Sequence, residues 1–173
     1  MERSVKLHSL SFGSLRTYVT ALLLVAGNIA LPQLFHLVSQ GGVTWLPIYF
    51  FTLVGAWAYG WRVGLLTALA SPVVNSLLFG MPPVAALPAI MLKSCLLAGF
   101  AGYAASRSRR VSLPLLALVV LAYQCVGTLG EWALKGDFIL ACQDFRIGIP
   151  GMLLQIFGGW AVINLSALRL KSE

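Results

Sequence analysis

The chain has 173 residues, of which 59% are hydrophobic and only 10% charged, with a mean hydropathy of +0.88 and a formal net charge of +7. A soluble domain carries about 25% charged residues, so this chain has too little polar surface to coat a water-facing globule, and lipid must be its solvent. A spanning helix needs ~20 apolar residues, so the length leaves room for about six spans and excludes a soluble catalytic head.

The N-terminal stretch, basic and polar through Arg16, precedes a long apolar run at about 15–38, read as an uncleaved first span. Within it, Ala26 and Ala30 frame a small-xxx-small element. Asn28 stands two residues from Ala26, which at ~100° per residue points it in nearly the opposite direction. One face can then hold a partner helix while the other turns an amide towards the protein interior. A loop at 39–46 contains Gly41 and Gly42 and ends at Trp45, a residue type that favours the bilayer interface.

The second span, about 47–59, is short, and a tight turn joins it to the third, about 63–79. Gly60, Gly64, Ala68 and Ser71 form a stripe at helical spacing, which lets helix backbones approach closely inside a bilayer. Gly80, Met81, Pro82 and Pro83 break the helix, because proline lacks an amide donor. The fourth span, about 85–105, runs into Arg107, Arg109 and Arg110. The fifth is about 113–134, a polar loop at 135–146 carries Asp137 and Asp144, and the sixth is about 148–168. The expected fold is all-α, one domain over residues 1–173 built as an integral membrane bundle of six helices. Cys95 and Cys125 read as small core residues, and no metal site, cofactor or disulfide framework is indicated.

Basic residues cluster at span ends, a membrane-topology pattern and not a nucleic-acid patch. With a cytoplasmic N-terminus and six spans, Arg3, Lys6, Arg16, Arg62, Arg107, Arg109, Arg110, Arg169 and Lys171 fall inside, and only Lys135 and Arg146 outside. Nine against two predicts that both termini are cytoplasmic.

Polar groups within apolar spans are costly and mark cavities or partners. Asn75, Lys93, Glu131 and Gln155 fall in the exterior half of four different spans, which predicts a pocket open to the outside. Gln124, Thr128 and Glu131 share one helical face, as do Gly148, Gly151, Gln155 and Gly159. Lys93 either contacts a solute, pairs with Glu131, or snorkels to the interface. Asn75 and Gln155 either bridge helices or bind the solute; His36 reads as a solvated end residue. Trp45 and Trp132 are interfacial, or wall the pocket from its exterior side. No Walker, HExxH or GxSxG motif is present, so an enzyme is not expected.

The ordered set of Ala26-xxx-Ala30, Leu46-Pro47, Gly55, Gly60 and Gly64, the Phe79-Gly80-Met81-Pro82 break, and Gly99 and Gly102 before a basic loop resembles the substrate-binding S components of energy-coupling factor transporters. These are small six-span vitamin-uptake proteins of the prokaryotic cytoplasmic membrane. The resemblance implies that Ala26 and Ala30 dock on a transmembrane coupling subunit, which carries two ATPase subunits. It implies a vitamin-like solute in the exterior half of the last three helices, covered by loops at 39–46 and 80–88. A pocket-facing Lys93 suggests a solute with a carboxylate or phosphate. The small six-span architecture also resembles the rod-shape scaffold MreD, a reading that requires no pocket. A stand-alone permease is the third alternative.

Overall fold

The computed structural model describes residues 3–4 and 9–169. Its helices are α1 (Leu15–Phe35), α2 (Gly41–Trp45), α3 (Phe50–Tyr59), α4 (Trp61–Phe79), α5 (Leu87–Ser108), α6 (Leu113–Lys135), α7 (Phe138–Ala141), α8 (Gln143–Arg146), α9 (Ile149–Leu153) and α10 (Gly159–Arg169). A π-helical segment, Leu154–Gly158, joins α9 to α10 into one rod. Two-residue strands β1 (Arg3–Ser4) and β2 (Arg110–Val111) pair antiparallel. Lys6 and Lys171, two of the residues expected inside, lie outside the described residues.

Five helices are long and apolar enough to cross a membrane: α1, α4, α5 with its preceding turn, α6, and the α9–α10 rod. Much of their outward surface is apolar, with Leu15, Leu22, Leu23, Leu77, Tyr103 and Leu118 all exposed. Soluble proteins do not leave so wide an apolar surface to water. This is a multi-pass membrane protein.

The expected second span is not a sixth helix of that length. Leu46 (φ 46°) and Pro47 begin a single 3-10 turn, and Gly60 (φ 100°) ends α3 after ten residues. Ten residues rise about 15 Å, half the ~30 Å hydrocarbon core. Eight of those ten are buried, and Leu53, Ala56 and Trp57 are fully so. Surrounded by protein, α3 is the core around which the longer helices pack, and the depth of lipid does not set its length.

Small residues make that packing possible. A Cβ on Gly64 would lie 2.8 Å from the Ala56 Cα, so α4 touches α3 backbone to backbone. Asn28 is fully buried and ties three elements together: its Nδ2 donates to Thr52 Oγ1 (3.2 Å) and Ser71 Oγ (3.1 Å), and its Oδ1 accepts from the Phe51 amide (3.1 Å). Ala26 and Ala30 lie on the exposed face of the same helix. Cys125, expected in the core, is exposed on the outward side of α6.

Neighbouring contacts show that successive segments alternate in direction. Phe51 meets Asn28 and Gly55 meets Leu24; Gly127 meets Lys93 and Gly130 meets Leu92. The bundle therefore has two distinct ends. At one, β1 pairs with β2, the Leu10 amide donates to Tyr59 O, and the Arg62 guanidinium lies over the Phe12 ring. Arg107, Arg109 and Arg110 lie at this end as well. The opposite end holds the three longer connections, with Glu131, Asp137 and Asp144. The stretch expected as a polar loop at 135–146 contains α7 and α8, with Asp137 Oδ1 capping α7 by accepting from the Leu140 amide.

Candidate functional site

A cavity of about 340 Å³ opens at the end opposite the basic one. Its wall is assembled from seven parts of the chain: Pro32 of α1 and His36 just past its end, the corner residues Gly42, Val43 and Leu46 to Tyr49, Asn75 of α4, and Met81, Pro82, Pro83 and Ala86 before α5. Ile90 and Lys93 of α5, and Glu131 and Lys135 of α6, meet Gln143 and Asp144 of α8 to complete it.

The corner is seated by glycines. Cβ atoms on Gly148 and Gly151 would lie 2.9 Å from the Leu46 side chain, so only bare backbone lets the corner nest against α9. Leu46 itself occupies the left-handed backbone region, a conformation that persists in a leucine only where its surroundings hold it.

Charge in the wall is gathered around one lysine. Lys93 is 2% exposed, and its Nζ lies 2.6 Å from Glu131 Oε2 and 2.8 Å from Asp144 Oδ2. Lys135 approaches the other Glu131 oxygen at 2.5 Å, one helical turn away on the same helix. Two ammonium groups thus face two carboxylates, and the set is formally neutral. A glycine again makes room, since a Cβ on Gly127 would lie 2.6 Å from the Lys93 Cγ. With its stem against α6, Lys93 reaches both acids, and isolated burial of that charge would be strongly unfavourable.

Asn75 stands apart from this group. It is 1% exposed, and its Nδ2 donates to Asn28 O (2.8 Å) and to Ser71 O (3.1 Å). Its Oδ1 has no hydrogen-bond partner among the described residues.

Of the residues singled out from sequence, Lys93, Asn75 and Glu131 share the cavity wall, and Gln155, Trp45 and Trp132 lie outside it. Gln155 is fully buried, and its Oε1 accepts from the Tyr123 hydroxyl at 2.9 Å. The Trp45 ring stacks on Phe35, 5.3 Å between centroids, and fastens α2 to the end of α1. Trp132 is 46% exposed and meets Phe138 edge-on, because one residue past Glu131 a helix has turned ~100° away. Of the three readings weighed for Lys93, the pair with Glu131 is formed, and Asp144 is a second partner that the sequence did not indicate. Asp144, Lys135, Gln143, Tyr49 and His36 also line the cavity. The only signal for Asp144 was its charge in a polar connection, and nothing in that spacing shows the connection folding back over α5.

Compared with known proteins, the chain matches no family model, no curated sequence and no solved structure.

Proposed function

We propose that this protein is the solute-capturing membrane subunit of an uptake transporter of the energy-coupling factor type, taking a vitamin-like small molecule from outside a prokaryotic cell. The observation that carries this reading is the cavity itself: a mostly apolar pocket bearing a small group of charged and amide side chains, set in a lipid-exposed bundle at the end opposite the basic one. Lys and Arg are retained on the cytoplasmic side, so the basic end is assigned inside and the cavity outside. On that assignment, five long helices and the short α3, alternating in direction, would leave both described chain ends on the inner side. Three of the six expected contact residues share the wall, and connections 39–46 and 80–88 each contribute to it. ATP hydrolysis is assigned to partner subunits, with Ala26 and Ala30 facing outward as the docking surface.

One observation favours the scaffold alternative: the four wall charges satisfy one another. The unpartnered, buried Asn75 oxygen in the same wall favours a binding site. The two are separated by mass spectrometry of the detergent-purified protein, searching for a co-purified small molecule, with thermal-shift screening of water-soluble vitamins alongside. A ligand at 100 times its Kd stabilises the folded state by about 2.7 kcal/mol, so a clear rise in melting temperature is expected for the true solute. No bound molecule and no shift across the panel would favour the scaffold.

A further inference from the structure

We infer that the occupant of the cavity is an uncharged solute that gives a hydrogen bond to Asn75 Oδ1, and not an anion held by Lys93. This rests on the solute-binding reading and narrows its substrate class.

Lys93 is committed already. Its ammonium has carboxylates at 2.6 and 2.8 Å and almost no exposure. A carboxylate or phosphate arriving there would add a third negative charge around one lysine. Alternatively it would displace Asp144, leaving a partly buried carboxylate without its counter-charge, or Glu131, leaving that acid with Lys135 alone. Lys135 does not relieve this, because it is engaged with Glu131. The formally neutral wall has the electrostatics of a site for an uncharged molecule.

Asn75 supplies the recognition. Both amide hydrogens are directed at main-chain carbonyls, Asn28 O and Ser71 O, which settles how the amide is turned and leaves Oδ1 as an acceptor. A buried acceptor without a donor is unfavourable, and an N–H or O–H from the occupant removes that penalty. A site built to pair with such a donor strongly rejects an analogue lacking it. The same wall carries Pro82, Pro83, Ile48 and Ile90, and the volume falls at the lower end for small-molecule sites. The solute is therefore compact, with an apolar body and an amide-like or hydroxyl donor.

The test uses the full chain in detergent and matched probe pairs that differ in charge: nicotinamide with nicotinate, pantothenol with pantothenate, and biotinamide with biotin. The expected result is that a neutral member raises the melting temperature of the wild type dose-dependently while its anion binds at least about tenfold more weakly. Asn75→Leu, where it remains folded, is expected to bind that neutral probe at least about tenfold more weakly. The wild-type comparison stands even if that variant does not fold. If an anion binds as tightly as its neutral partner or more so, the inference is overturned and the solute-binding reading stands. If folded Asn75→Leu binds the neutral probe as the wild type does, the assignment to Asn75 is overturned. If no probe in any pair binds the wild type, both this inference and the solute-binding reading fall.

Discussion

Lys93 shows how a single polar residue in an apolar run organises its surroundings. It was legible in the sequence as an anomaly, as were Asn75 and Glu131, because a polar group inside a span demands a partner whatever the fold. The identity of that partner was not legible. Glu131 shares a neighbouring helix at matching depth and was a visible candidate, whereas Asp144 reaches Lys93 from α8, across 51 positions of chain. Gln155, Trp45 and Trp132, each open to two readings from sequence, lie outside the cavity wall for a related reason: depth can be counted along a helix, but whether Tyr123, Phe35 or Phe138 captures the side chain depends on rotation and packing. The two partners of Lys93 make a testable asymmetry. Lys93→Met strands Asp144 and leaves Glu131 with Lys135 alone, and breaking a buried pair from one side costs about 3–5 kcal/mol. Asp144→Asn leaves Lys93 with Glu131 and should cost less, about 1–2 kcal/mol. Chemical denaturation in detergent would rank them, and equal losses would mean that Asp144 carries as much of the compensation as Lys93 itself.

The long helices were legible element by element because apolar length, Gly–Pro breaks and terminal arginines mark their ends with little help from tertiary structure. The short second segment was visible as short, yet its role was hidden: nothing in 47–59 distinguishes a helix surrounded by lipid from one surrounded by helices, since both are apolar on all sides. The stripe that accommodates α3 was legible, and its contacts give the second prediction. At Gly64 a side chain would collide with the α3 backbone, so Gly64→Leu should destabilise the bundle by at least about 1–3 kcal/mol. At Gly99 a Cβ meets open space, and Gly99→Ala should be neutral or stabilising by up to about 1 kcal/mol, since glycine is the poorer helix former. Thermal unfolding of the two purified variants beside the wild type would check the contrast. Similar Tm values for all three would show that α3 and α4 can separate without loss. The α7–α8 pair escaped the sequence reading because four-residue helices carry no periodic signal.

For the molecule as a whole, the cavity and the outward face of α1 lie on different parts of the surface. The cavity belongs to one end of the interior, whereas Ala26 and Ala30 lie on the outward face of α1, bordered by exposed Leu22, Leu23 and Leu34. Two alanines among leucines make a shallow, smooth track on which another helix can approach closely, the geometry that drives helix association where lipid offers no competing hydrophobic force. The opposite face of the same helix carries Asn28, bound to Thr52, Ser71 and the Phe51 amide. Docking at the track would therefore act on a helix locked to the α3–α4 core, so that α1, α3 and α4 move as one body. Under the transporter reading this separates assembly from capture. Ala30→Trp fills the track without touching the cavity wall, and it should leave solute affinity within about twofold of wild type while abolishing co-purification with a coupling subunit. Both quantities can be read on one preparation, by thermal shift with the identified solute and by pull-down of co-expressed partners. Retained assembly would move the docking surface off α1. Lost solute binding in a folded variant would show that the outer face and the cavity are coupled through Asn28.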